Sequence, residues 1–134
     1  MYQGGCLCNE VRFEIRGQIR DIVFCHCSQC RKVQGTAFAA NGVVDRTDFN
    51  LVKGESLLTA FETSPGKKKY FCCRCGSPIY SDNDQLPDVV RIRLGTIESD
   101  ITERPQRHIY VASKANWDTI CDDLPQYDTL PSTS

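Results

Sequence analysis

The chain has 134 residues, enough for one domain with a real core, since chains of this size bury roughly two-thirds of their unfolded surface. Its 16 basic and 17 acidic residues leave a formal charge of -1, which argues against a dedicated nucleic-acid binder, whose domain shows a basic face or a high pI. There is no run of about 20 apolar residues to make a transmembrane helix, and Met1-Tyr2-Gln3-Gly4-Gly5 lacks the basic and apolar regions of a secretory signal, so a cytoplasmic location is expected.

Strand signals dominate in chain order. Val11, Phe13 and Ile15 alternate with Arg12, Glu14 and Arg16, the period of a strand with one buried face, between turn signals at Gly4-Gly5 and Gly17. Ile22-Val23-Phe24 is a short apolar run leading into a cysteine cluster. Ser28 is expected to cap one or two helical turns through Arg31 and Val33. Thr36 to Val44 is strand-like and broken at Asn41-Gly42, a favoured two-residue hairpin turn. Thr47-Asp48-Phe49 reads as a single turn. Leu57 to Thr63 and Lys69 to Phe71 flank Ser64-Pro65-Gly66 as a second hairpin, with the run Lys67-Lys68-Lys69 read as its solvated tip. Val90, Ile92 and Leu94 alternate with Arg91 and Arg93, and His108 to Val111 makes a last strand. Many short strands with Gly and Pro turns argue for an all-β fold with few short helical turns. One domain is expected over residues 1–128, with 129–134 a frayed tail.

The nine cysteines carry the chemistry. Cys6 and Cys8 form C-x-C, Cys25, Cys27 and Cys30 form C-x-C-x-x-C, and Cys72 and Cys75 form C-x-x-C around Cys73. Disulfides suit oxidising compartments and would leave an odd thiol over, so metal ligation is the expected role. Structural zinc takes four protein ligands and catalytic zinc three with an open position. Seven clustered thiols split as four plus three. Cys6, Cys8, Cys72 and Cys75 would form a closed site tying the N-terminus to the middle of the chain, and its metal would contribute folding free energy. Gly76 suits the sharp turn of a zinc knuckle. Cys73 could replace Cys72; otherwise it is a small residue facing the core. Cys25, Cys27 and Cys30 would form the open site. His26 sits in a C-x-C turn, where the middle side chain points away from the metal. His108 is expected in the core or beside a ligand. Cys121, flanked by Asp122 and Asp123, is expected to make a poor nucleophile because neighbouring carboxylates disfavour a thiolate. A tri-thiolate zinc is a weak Lewis acid, better suited to a fourth, soft thiolate than to activating water.

The segments Gly4-Gly5-Cys6-Leu7-Cys8, Cys25-His26-Cys27-Ser28-Gln29-Cys30-Arg31-Lys32 and Phe71-Cys72-Cys73-Arg74-Cys75-Gly76-Ser77 resemble the glutathione-dependent formaldehyde-activating enzyme family, which includes centromere protein V. The stretch from Arg104 to Val111, with Ser113-Lys114-Ala115, Trp117 and Asp122 to Tyr127, is similar to that family's closing segment. The resemblance implies a β-tent fold, a structural zinc on Cys6, Cys8, Cys72 and Cys75, and a second zinc on Cys25, Cys27 and Cys30. It implies a carbon–sulfur lyase joining glutathione and formaldehyde as S-hydroxymethylglutathione. Arg31, Lys32 and Lys114 are candidates to meet the carboxylates of the thiol. The small-molecule partners expected are a thiol and an aldehyde. The alternative is a non-catalytic zinc domain that carries glutathione or binds a protein partner.

Overall fold

The computed structural model describes residues 1–131. Its fold is all-β: two sheets and one short helix. The smaller sheet joins β1 (Tyr2–Gly5), β2 (Arg12–Ile15) and β5 (Phe49–Lys53) in the order β1-β2-β5. The larger is built from β3 (Arg20–Cys25), β4 (Ala39–Asp45), β6 (Leu58–Ser64), β7 (Lys67–Cys72), β8 (Pro78–Asn83), β9 (Val89–Arg93) and β10 (Arg107–Ile109). Its order is β10-β3-β4-β9-β8-β7-β6. Every pairing is antiparallel except that of β10 with β3. The helix α1 (Ser28–Gln34) links β3 to β4.

The alternation at Val11, Phe13 and Ile15 has the expected result: all three are buried. They pack with Ile22, Val44, Val90 and Ile92 of the larger sheet in a single apolar cluster. Each sheet therefore covers the apolar face of the other. The opposite face of the larger sheet carries the intervening polar side chains, and the functional residues lie there.

Three local expectations are corrected. Asn41-Gly42 is not a hairpin turn. β4 runs straight through it, pairing Asn41 with Val23 and Arg93, and Gly42 with Ile92. The glycine serves packing: a Cβ at Gly42 would lie 2.3 Å from Ile19 Cγ2. The helix cap is Cys27 rather than Ser28, because the Cys27 sulfur accepts the Cys30 amide. The last strand stops at Ile109, because Tyr110 adopts φ 57°, outside the strand region. The hairpin at Ser64-Pro65-Gly66 does form, with Ser64 opposite Lys67 and Gly66 at φ 80°. A turn is present at Arg46–Asp48, one residue earlier than Thr47-Asp48-Phe49. Thr129, expected in a frayed tail, accepts the Tyr110 amide at 2.9 Å; residues 132–134 of that tail lie outside the described residues. Among the described residues no helix is long and apolar enough to cross a membrane.

Candidate metal centres and cleft

The fold gathers the clustered cysteines into two sets. Cys6, Cys8, Cys72 and Cys75 converge from the turn after β1 and the end of β7, with all four sulfurs within 4.8 Å of one another. Zinc–sulfur bonds of about 2.3 Å in a tetrahedron would separate the sulfurs by about 3.8 Å. The Cys6–Cys8 and Cys8–Cys72 sulfurs lie 3.5 and 3.8 Å apart, so the donor set fits zinc. The surrounding donors favour thiolates. Val11 N–H points at Cys6 Sγ at 3.3 Å, and Ser77 Oγ lies 3.4 Å from Cys75 Sγ. Burial opposes ionisation of Cys75, but hydrogen bonds from the Ser77 hydroxyl and the Ser77 and Cys8 amides outweigh it and hold its pKa to about 5. Gly76 follows at φ 82°, a conformation that costs a glycine little and lets the Gly76 amide reach Cys72 O at 2.7 Å.

The four-thiol set includes Cys72, which is fully buried, while Cys73 is exposed. Cys73 therefore does not face the core. The knuckle reverses the chain between these neighbours, so one thiol points inward and the next to solvent.

Cys25, Cys27 and Cys30 form the second set, again with sulfurs within 4.8 Å. Cys25 ends β3, Cys27 caps α1 and Cys30 lies in its first turn. A strand that passes directly into a helix thus brings three thiols together within six residues. Hydrogen bonding from Cys25 lowers the Cys30 pKa to about 6, while the Cys25 thiol is pushed up by Cys30 and by burial. Three thiols, with no fourth His, Cys, Asp or Glu donor grouped with them among the described residues, make this a three-ligand set, whose chemistry fits a zinc with one exchangeable position.

This second set opens on a cleft of about 440 Å³, within the range of small-molecule sites. The cleft is floored by the polar face of the larger sheet. Strand register makes it so: Lys69 stands opposite Ser81, Ser81 opposite Arg91, and Arg93 opposite Asn41, which in turn faces Val23, two residues from Cys25. Lys67, Lys68 and Lys69 all line it too, so the lysine run is a cleft wall and not a solvated tip. Burial lowers the Lys69 pKa, and Arg93 is lowered by burial as well while the nearby Cys30 and Cys25 favour its charge. Arg93 is 2% exposed, and its Nε has no partner. Among the described residues Lys67, Lys69, Arg91 and Arg93 make no ion pair with a carboxylate. Five cations, Lys67, Lys68, Lys69, Arg91 and Arg93, line the cleft with one carboxylate, Asp82, and the thiols favour the charge of Lys69 and Arg93.

The sequence missed these cations. Arg91 and Arg93 alternate with apolar residues and read as a solvent face; only the concave fold turns that face into a cleft floor. Arg31, Lys32 and Lys114 are not among the residues lining it. Lys114 Nζ is held by the Ala115 and Asp118 carbonyls. His26 and His108 are both buried and lie 2.8 Å apart through ring nitrogens, and neither lines the cleft. Cys121 is exposed and belongs to neither thiol set.

Comparison with known proteins agrees with this arrangement. A Halomonas elongata protein provisionally named a glutathione-dependent formaldehyde-activating enzyme is 29% identical over 126 residues, which is 87% of this chain and 79% of that protein. Proteins of the same provisional name from Aspergillus flavus and Aspergillus oryzae are 29% identical over 77 residues, or 56% of this chain; the match spans only 40% of their length. A crystal structure of a Rhodobacter sphaeroides protein superposes with a TM-score of 0.63 at 24% identity, covering 77% of this chain and 97% of that one, a likeness of fold. The model of the family described as glutathione-dependent formaldehyde-activating enzyme matches residues 1–113. That span contains both thiol sets and every cation of the cleft, and the chain belongs to this family.

Proposed function

We propose that this protein is a zinc-dependent carbon–sulfur lyase acting on a small anionic thiol and an aldehyde, joining glutathione and formaldehyde as S-hydroxymethylglutathione and reversing that reaction. The observation that carries the proposal is the three-thiol set opening on a cation-lined cleft. Zinc held by Cys25, Cys27 and Cys30 would supply one coordination position suited to a thiolate and would lower the pKa of a thiol that reaches it. Cys6, Cys8, Cys72 and Cys75 would hold a structural zinc.

The chain's own residues divide the remaining work. Lys67, Lys69 and Arg91 offer donors to the carboxylates of the thiol and fix its orientation. Arg93, buried beside the thiols, offsets their negative charge. In the forward direction the C–S bond forms as the thiol sulfur adds to the carbonyl carbon, and the thiol proton ends on the carbonyl oxygen. Asn41 lines the cleft with Oδ1 buried and without a partner. It is placed to accept the hydroxyl proton of the adduct and orient that group. In reverse the C–S bond breaks, the C=O double bond re-forms, and the hydroxyl proton ends on the thiol sulfur.

Calorimetry with glutathione and S-methylglutathione, combined with exchange NMR of the formaldehyde adduct, tests the proposal. Glutathione should bind at least tenfold more tightly than its S-methyl form, and the protein should accelerate adduct exchange above the spontaneous rate. Equal affinities would overturn thiolate capture. Tight glutathione binding without acceleration would make the protein a glutathione carrier.

A further inference from the structure

One buried group next to the three-thiol set has no part in the cleft. His26 lies between Cys25 and Cys27, is fully buried and does not line the cleft. Its side chain enters a chain of hydrogen bonds instead. His26 Nε2 stands 2.8 Å from His108 Nδ1. His108 Nε2 reaches the Asp122 carboxylate oxygens at 3.1 and 3.0 Å. The carboxylate is itself oriented, because Asp122 Oδ1 accepts the Leu124 amide at 3.0 Å. The His108 hydrogen bond is the main influence holding the Asp122 carboxyl below its usual range. The two rings are walled by Phe24 and Phe38, with ring centroids 5.2 Å apart for Phe24–His108 and 5.1 Å for His26–Phe38.

The backbone follows the same path. The His26 amide donates to Ile109 O at 3.0 Å, and His108 is clasped on its other side by bonds to Pro125 O and from the Tyr127 amide. The thiol turn is therefore held by a segment that arrives more than eighty residues later. That matters because β3 ends at Cys25 and α1 begins at Ser28. The residues between have no repeating backbone pattern to hold them, and three thiols must stay together there. The family model's matched span ends at 113, so Asp122 lies beyond it.

We infer that Asp122, His108 and His26 act as positioning residues for the Cys25–Cys27 turn, anchoring the three-thiol set from the C-terminal segment. The inference rests on the proposed metal role of that set only for its consequence, not for the chain of hydrogen bonds. Groups hydrogen-bonded directly to metal ligands typically change metal affinity by about 10–100-fold when removed, and this chain of bonds acts on the residue between two of the thiols.

The test uses Asp122→Ala and Asp122→Asn in the full chain. The Asp122 side chain is 43% exposed, so neither substitution opens a core cavity. Asparagine keeps an oxygen at the Oδ1 position, which here serves both His108 Nε2 and the Leu124 amide. Cobalt titration, read by the thiolate charge-transfer and d–d bands, should show Asp122→Ala weakened about 10–100-fold at the three-thiol set and unchanged at the four-thiol set. Asp122→Asn should stay within about threefold of the native protein. Independently of metal, hydrogen exchange at the His26 amide should quicken more than tenfold in Asp122→Ala, while amides of β4 and β9 keep their protection. Native exchange at His26 in Asp122→Ala, or an equal loss across β4 and β9, would overturn the inference. Should the native three-thiol set bind no cobalt, the metal reading fails, and the exchange measurement alone decides the positioning role.

Discussion

Replacing Arg93 by methionine should push stability and metal affinity in opposite directions. The guanidinium is almost fully buried, and among the described residues it has no carboxylate partner and one hydrogen bond, a long one of 3.4 Å from Nη1 to the Arg91 carbonyl. Burial lowers its pKa, so the fold bears a desolvation cost for keeping it charged. Removing a buried charge that has no carboxylate partner removes that desolvation cost, the same cost that makes replacing buried ionic groups by well-packed apolar ones often neutral or stabilising. With metal in the four-thiol set only, Arg93→Met should therefore unfold in urea at the same or a higher midpoint. The three-thiol set with zinc would carry a charge of -1, and it would lose its buried counterion. Unit charges about 6 Å apart at an effective dielectric of about 20 interact by roughly 3 kcal/mol. Discounting part of that for relaxation leaves about 10–100-fold in affinity, each tenfold being about 1.4 kcal/mol. Competition with a chromophoric chelator reads that change directly. Unchanged affinity at the three-thiol set would refute the counterion role, and a fall in stability above about 3 kcal/mol would make Arg93 a structural strut.

Other substitutions separate the two thiol sets and the core. Cys75→Ser should aggregate or lose much of its melting temperature, because its set ties residues far apart in sequence; Cys27→Ser should fold, lose the second metal and lose thiol binding, as circular dichroism and elemental analysis would show. Gly42→Ala should cost about 1–3 kcal/mol by overpacking, since its Cβ would meet Ile19 Cγ2 at 2.3 Å; an unchanged urea midpoint would contradict the straight path of β4. Glu103 has a carboxyl whose burial is outweighed by bonds from the Tyr2 hydroxyl and the Ile19 amide, which hold its pKa to about 2 against an ordinary 4.5. A depressed folded pKa gives stability that is full above about 4.5 and is lost as pH falls towards 2. Glu103→Gln should therefore lower the urea midpoint by an amount that is constant from pH 8 to about 5 and shrinks below; a gap that widens in acid would contradict the assignment.

The amino-acid sequence alone determined the covalent logic of the sites. Cysteines at C-x-C, C-x-C-x-x-C and C-x-x-C spacing bring two or three sulfurs together in a single turn, whatever the rest of the chain does. The four-plus-three division was legible for that reason, as was the all-β class, since the alternation at Val11, Phe13 and Ile15 needs no partner to be read. The chain could not show locally which residue of an alternating strand meets a concavity. Arg91 and Arg93 have the same pattern as any solvent-facing pair, and Lys67-Lys68-Lys69 looks like any polar hairpin. Their cleft exists because strand register across β7, β8, β9 and β4 lines them up beside Cys25. The same limit hid the role of Gly42, whose neighbours Ile19 and Ile22 reach it only once β3 and β4 pair. It also hid the contact of His26 with His108, which the parallel pairing of β10 with β3 creates. Short-range spacing is a property of the chain, but charge gathered on one face is a property of the sheet. Only long-range hydrogen bonding between strands decides which distant residues share that face.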